Sequence, residues 1–366
     1  IFLLIKSKNK KAYDIIFIFL LTIFVFNLFD KTKSYKNIVN FEKISDSKYD
    51  MVNVVLLLDE MSGLTSLESQ SNSGKLFVSE AKNFFKDFNF KFYSDINSIN
   101  RHTLHSVSAY LNLTDDIKTR EKVIKKSHNY FQEYVITKSV LFEKFNDISI
   151  YQNIHVNYCN FDNITKCESY NIFKDKNFLN GFKNNFLTKI ISDWKINGSI
   201  AAALSWRFLR QVRVIDSKLE PEGHKATFGS LFQDLKKDIM SKKYDLIFVH
   251  SLVPHTPYGF DKNCNYDGKR SILNRYTPLE EKIKQHNLER ICVIKFLRNF
   301  LNDLKKDNLI DNIDLTVLSD HGARTKRKDP SSELSIFYAR KNSSTSFKEI
   351  KETKIGQRIF AEQFNN

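Results

Sequence analysis

The sequence predicts an α/β protein: a three-layer α/β/α sandwich on a central, mostly parallel sheet, preceded by a transmembrane helix. Three observations lead there. Short, nearly continuous apolar runs recur at 52–58, 244–250 and 314–319, each closing on polar or charged residues, as strands buried on both faces do. A stretch with apolar residues at helical spacing, 282–304, lies between the second and third runs, so strands alternate with helices. Residues 15–29 (IIFIFLLTIFVFNLF) carry no charge and are interrupted only by Thr22 and Asn27.

That last run, extended back to Ala12, gives a membrane anchor over 12–29, close to the ~20 residues that cross the hydrocarbon. Lys6, Lys8, Lys10 and Lys11 precede it, which would also suit a signal peptide, but no small-residue cleavage site follows. A buried core helix fits poorly, because the run is apolar on every face. Lysines flank both ends, so charge asymmetry fixes the orientation weakly. The chain opens at Ile1, and an upstream segment is left open. Residues 1–11 read as a basic segment, 30–49 as a connector, 50–345 as one catalytic domain and 346–366 as a tail.

Within the domain, the apolar run at 52–58 ends in Asp59-Glu60, and a serine-rich loop follows (66–75, SLESQSNSGK). A helix is expected near 77–88, with strands at 90–93, 148–156, 244–250, 314–319 and 334–339. Composition narrows the class. Only 10 Gly and 5 Pro in 366 residues exclude collagen-like and linker-rich architectures, and 4 Cys exclude a disulfide-dense scaffold. Cys159 and Cys167 sit close together in a polar segment, where a local disulfide would close readily and imply an oxidising compartment; two unpaired thiols are the alternative. Cys264 falls in a polar loop, and Cys292 reads as a buried core residue. The net charge of +15 raises the question of nucleic acid. No basic cluster with interleaved aromatics and no known module accompanies it, so no nucleic-acid partner is expected. The charge suits a domain working beside an anionic lipid surface, or simply the lysine-rich composition of an AT-rich genome.

In parallel sheets ligands bind at the carboxyl ends of strands. Three strands here end in potential chemistry: Asp59-Glu60, His250 with His255, and Asp320-His321. Their convergence suggests a metal site of oxygen and imidazole ligands. Singly, each has a plainer reading, such as a helix cap or a structural histidine.

Ser319-Asp-His-Gly322 resembles the SDHG motif of the alkaline phosphatase superfamily, in its sulfatase-like branch. The order of segments strengthens the likeness: NVVLLLDE at 53–60 is similar to the family's first strand with its acidic ligands, and Pro254-His-Thr-Pro-Tyr258 resembles its PHxPY segment. The resemblance covers about residues 50–340. It implies a nucleophile at the start of a helix after the first strand, where this sequence has Arg101-His-Thr-Leu-His-Ser-Val-Ser108. Thr103 with Ser106-Val107 is similar to the T-x-x-S-V-P pattern of membrane-anchored phosphoethanolamine and phosphoglycerol transferases. Threonine cannot mature to formylglycine, and the arginine of the sulfatase signature would fall at Val107. Ser106 and Ser108 are the fallback nucleophiles, and a helix N-cap is the structural alternative for Thr103.

The resemblance implies Asp59, Glu60, Thr103 Oγ1, Asp320 and His321 as metal ligands, with His255 as a second-site ligand or a donor to phosphoryl oxygens. A hydroxyl needs a cation or a base to lower its effective pKa, which suits that grouping. His250 is expected behind the site. Arg324 and His105 are weak candidates for substrate contact, and His102 flanks the nucleophile. Mixed oxygen and nitrogen ligands favour zinc or manganese over calcium. One or two ions are implied. No histidine follows His321, which departs from the family pattern and favours one. The expected function is a membrane-anchored, metal-dependent phospho-group transferase or phosphodiesterase. It would act on envelope lipid or glycan, with the catalytic domain outside the cytoplasmic membrane. A sulfatase-like hydrolase of sulfate or phosphate esters is the alternative, and a non-catalytic member binding glycan or lipid is the alternative of another class.

Overall fold

The computed structural model describes residues 49–126, 134–152, 156–169, 224–271, 276–326 and 329–365. The expected anchor over 12–29 and the segments before and just after it lie outside them. Among the described residues no helix is long and apolar enough to cross a membrane.

The centre is an eight-stranded sheet. Its strands are β1 (Val52–Leu58), β2 (Lys91–Tyr93), β3 (Ile148–Gln152), β4 (Ile164–Ser169), β5 (Leu246–Ser251), β6 (Ile313–Ser319), β7 (Tyr338–Lys341) and β8 (Lys348–Ile350), in the spatial order β8-β2-β7-β6-β1-β5-β3-β4. All pairings are parallel except those of β7, which runs against both β6 and β2. The longer helices are α1 (Asn72–Asp87), α2 (Thr103–Leu111), α3 (His224–Ser241), α4 (Leu279–Lys306) and α5 (Gly356–Asn365).

Period-2 alternation sorts the strand side chains between two cores. Val54, Leu56 and Leu58 of β1 join Leu315 and Val317 of β6, and pack under Phe77, Phe84 and Phe85 of α1, Phe228 of α3 and Leu297 of α4. Val55 and Leu57 face the other way, toward Val107 and Tyr110 of α2 and Phe360 of α5. Helices therefore cover both faces of the central strands, which is why β1, β5 and β6 are largely apolar. Phenylalanines fill much of the first core, with Phe85 stacked on Phe92 at a centroid distance of 4.4 Å.

Four expectations shift. The helix near 77–88 begins earlier, at Asn72, because Ser71 caps it by accepting from the Gly74 amide at 3.0 Å. The strand expected at 334–339 begins only at Tyr338; before it, Ile336 and Ser335 make isolated bridges to Ser62 and Asn97. The strand expected at 148–156 is described only to Gln152. The expected tail is instead part of the domain: β8 extends the sheet beside β2, and α5 buries Ile359 and Phe360. Cys292 is buried as expected, but it is disulfide-bonded to Cys264, and Cys159 is bonded to Cys167.

Candidate active site

The register of the central strands builds the site. Leu58 of β1 lies level with Ser319 of β6 and Ser251 of β5, so Asp59 and Asp320 leave adjacent strands side by side at the carboxyl edge. Glu60 follows with φ 60°, a left-handed conformation that a non-glycine residue adopts at a cost of about 1–2 kcal/mol. That turn breaks the strand alternation, and the Glu60 amide donates to Asp320 Oδ1 at 3.3 Å. The next loop closes through Gly322, where a Cβ would stand 1.9 Å from the Ser332 carbonyl oxygen. Only glycine lets the SDHG turn pass this close to the 332–335 segment.

His321 is fully buried and its tautomer follows from its neighbours. Nδ1 lies 2.8 Å from the Gly322 carbonyl, so it carries the proton and donates. Nε2 accepts from Arg324 Nη2 at 3.0 Å, and its lone pair looks into the site. Around Nε2 stand Thr103 Oγ1 at 3.2 Å, Asp320 Oδ2 at 3.3 Å and Asp59 Oδ1 at 3.6 Å. Ligand bonds of 2.0–2.2 Å in tetrahedral geometry put donor atoms roughly 3.3–3.6 Å apart, which this set matches.

The carboxylates ask for a cation. Asp59 Oδ1 and Asp320 Oδ2 are buried and have no hydrogen-bond partner. Burial first, then the Asp320 and Glu60 charges, push the Asp59 carboxyl well above the usual carboxylate range. Asp59, Asp320 and His321 together form a group that could hold a metal ion. The residues present thus fit a divalent cation on chemistry and spacing alike.

Thr103 is the first residue of α2. The N-cap is His102, whose side chain makes no capping bond, so the Thr103 hydroxyl is not consumed as a cap. Ser106 and Ser108, the fallback nucleophiles, are buried and donate to the Asn100 and Leu104 carbonyls. Glu60 stands apart from the Asp59–Asp320–His321 group: Arg324 Nε contacts its Oε1 at 3.0 Å and His255 Nε2 lies at 3.6 Å. His255 is held by Nδ1 donation to the Thr256 carbonyl, while Lys225 Nζ donates to the His255 carbonyl at 3.3 Å. His250 is only 2% exposed and lies 2.6 Å from the Tyr158 hydroxyl, behind the site and closed to substrate. His105 turns away, to the Ile117 carbonyl and Arg120. His102 is exposed; partial burial, then the Arg324 and Arg101 charges, lower its pKa.

Sequence reasoning missed the support beneath the loop. Ser62 Oγ accepts from the Ala323 amide at 2.9 Å and is hydrogen-bonded to His286 Nε2 at 3.2 Å. Arg290, fully buried, donates to the Ser62 and Gly63 carbonyls at 2.8 and 3.0 Å and lies 3.6 Å over the Phe77 ring. Burial lowers its pKa to about 9. Both side chains come from α4, whose helical pattern gave the only signal, two polar residues on a core-facing stripe.

No protein-family model matches the chain, and no curated protein matches it by sequence. Among solved structures, a protein of glycosaminoglycan metabolism from Bacteroides thetaiotaomicron aligns at a TM-score of 0.51 and 13% identity, covering 85% of this chain and 71% of that one. Phosphonate monoester hydrolase of Agrobacterium radiobacter aligns at 0.50 and 10%, covering 85% and 72%. The C-terminal periplasmic domain of a phosphoethanolamine transferase from Campylobacter jejuni aligns at 0.48 and 13%, covering 87% and 90%.

Proposed function

Given that the chain has the fold of the alkaline phosphatase/sulfatase-like superfamily, we propose that it is a metal-dependent phospho-group transferase or phosphodiesterase with Thr103 as nucleophile. One observation carries the reading. The Thr103 hydroxyl, free of capping duty, faces the His321 Nε2 lone pair beside two buried carboxylate oxygens that lack partners.

Asp59, Asp320 and His321 would hold the cation, with Thr103 Oγ1 at its edge. When bound, it would neutralise the carboxylates and favour ionisation of a nearby hydroxyl. The chain's own part is placement. Helix α2 points Thr103 Oγ1 at the site, the Gly322 carbonyl fixes the His321 tautomer, and the Ser62–Ala323 bond holds the SDHG loop. Attack by Thr103 Oγ1 on phosphorus forms one P–O bond as the bond to the leaving alcohol breaks. The threonine proton passes to solvent and the leaving oxygen takes one up. An acceptor hydroxyl or water then releases the phosphoryl group and restores the threonine. His255, 29% exposed at its side chain, donates to phosphoryl oxygens from Nε2 in this reading when the ring carries a second proton, since Nδ1 is committed to the Thr256 carbonyl.

We extend the proposal to place and substrate: anchored through residues 12–29, with the domain outside the cytoplasmic membrane, acting on envelope lipid or glycan. Two disulfides and no free cysteine among the described residues support an oxidising compartment.

The test is hydrolysis of a chromogenic phosphodiester by metal-loaded protein. Thr103→Ala is expected to lower kcat by on the order of 10³ or more, with Thr103→Ser retaining part of it. Full metal-dependent turnover in Thr103→Ala would end the nucleophile assignment. Product formation that requires an added alcohol acceptor separates transfer from hydrolysis.

A further inference from the structure

The site has two acidic halves, and only one of them has a direct ion pair. Asp59 Oδ1 and Asp320 Oδ2 are buried beside His321 Nε2 without a hydrogen-bond partner, and Arg324 acts on Asp59 only from a distance. Glu60 is equally buried, 4% exposed at its side chain, yet it is compensated: Arg324 Nε sits 3.0 Å from its Oε1. The guanidinium is permanently charged, so this compensation does not depend on pH. From the same position Arg324 Nη2 reaches His321 Nε2 at 3.0 Å, so one side chain bridges the two halves.

We propose that Arg324 serves as the fixed cation of the second half, so that the protein takes a single divalent ion, at Asp59, Asp320 and His321, and none at Glu60 and His255. The inference rests on the cation site of the proposed function and is independent of the Thr103 assignment. Charge and geometry agree. Glu60 and His255 offer two donor atoms 3.6 Å apart, a spacing that would suit an ion, but the arginine fork already stands against that carboxylate. A second divalent ion would have to take Glu60 from Arg324 with one carboxylate and one imidazole to hold it. In the first half two buried carboxylates outweigh the repulsion from the same guanidinium, several kcal/mol at about 4 Å in an effective dielectric near 20. An ion there replaces the Arg324 Nη2 and Thr103 contacts at His321 Nε2. Nη2 is then free to face an anionic oxygen of substrate, while Nε stays on Glu60. The Arg324 side chain is 37% exposed, so a substrate group can reach it.

The experiment counts bound metal. Full-length protein stripped by chelator is titrated with Zn²⁺ by calorimetry, and the stoichiometry is checked by elemental analysis after dialysis. Wild type and Arg324→Lys are expected to bind one ion per chain. Arg324→Gln is expected to gain a second, weaker binding step, which His255→Ala in the Arg324→Gln background removes. Circular dichroism melts confirm that each variant is folded. Two ions in wild type, or one ion in folded Arg324→Gln, would overturn the proposal; zero in wild type would overturn the cation site with it. A Thr103→Ala variant that keeps both turnover and the one-ion count would sink the nucleophile and leave this inference standing.

Discussion

The bond between Cys264 and Cys292 links the loop after the PHTPY segment to helix α4, and its removal has a size that can be worked out. The two cysteines are 28 residues apart in sequence. Closing a loop of that length removes about 12 cal/mol/K of entropy from the unfolded chain, or about 3.6 kcal/mol at 25 °C. The 8-residue loop between Cys159 and Cys167 is worth less on the same footing, about 2.5 kcal/mol. Cys264→Ser with Cys292→Ser should therefore lower the unfolding free energy by about 3–4 kcal/mol and the Tm by roughly 5–6 °C. The assay is urea unfolding followed by circular dichroism, with thiols counted under denaturing conditions to confirm the oxidised state of wild type. Reductant should bring wild type below the double variant, because it opens both bonds. Coincident unfolding curves for wild type and variant would refute the reasoning, as would a wild type that shows four free thiols after purification in air.

Two further outcomes bear on the site and its support. Zn²⁺ at one hundred times its Kd should stabilise wild type by about 2.7 kcal/mol, and Asp320→Asn should abolish that gain while leaving the metal-free protein more stable, because Asp59 loses a buried like charge; thermal shift with and without chelator reads both. His286 is buried and held neutral, its pKa pushed well below the usual histidine value by burial and then by the Arg290 charge. A depressed histidine pKa means the unfolded chain binds the proton first, so this stability is present above pH about 6.5 and lost as pH falls below it, by up to about 1.4 kcal/mol per pH unit. His286→Gln should flatten that slope between pH 6.5 and 5 in chemical denaturation, and an unchanged slope would exclude His286 as its source.

The central strands were legible because β1, β5 and β6 are buried on both faces and so carry nearly continuous apolar runs that local polarity marks off. The pairing of Asp59 with Asp320 followed from those runs, since both residues come immediately after strands. Other features left weaker traces. Strand β8 (KEI) has one exposed and two half-exposed residues, and only its backbone pairing with β2 makes it a strand. Helix α3 opens in a segment without clear periodicity and is fixed by Phe228 and Leu235 packing in the first core. Glu60 looked like a second ligand beside Asp59, because no local rule forecasts a left-handed residue at the end of a buried strand. The Cys264–Cys292 bond spans a turn and two elements, a distance that sequence spacing does not encode.

The last helix has a consequence for the order in which the site comes into being. Gln357 of α5 accepts from the Ile99 amide at 3.1 Å and donates to Ser98 Oγ at 3.1 Å, and Phe360 packs edge-on against Tyr110 of α2. The segment that leads into Thr103 is thus clamped by residues made long after it, and Asp59 meets a partner encoded 261 positions later. Until β6 and α5 have been made, the acidic pair and the hydroxyl are strangers to one another. Any capture of a cation by Asp59 and Asp320 therefore has to follow synthesis of β6 and the loop after it.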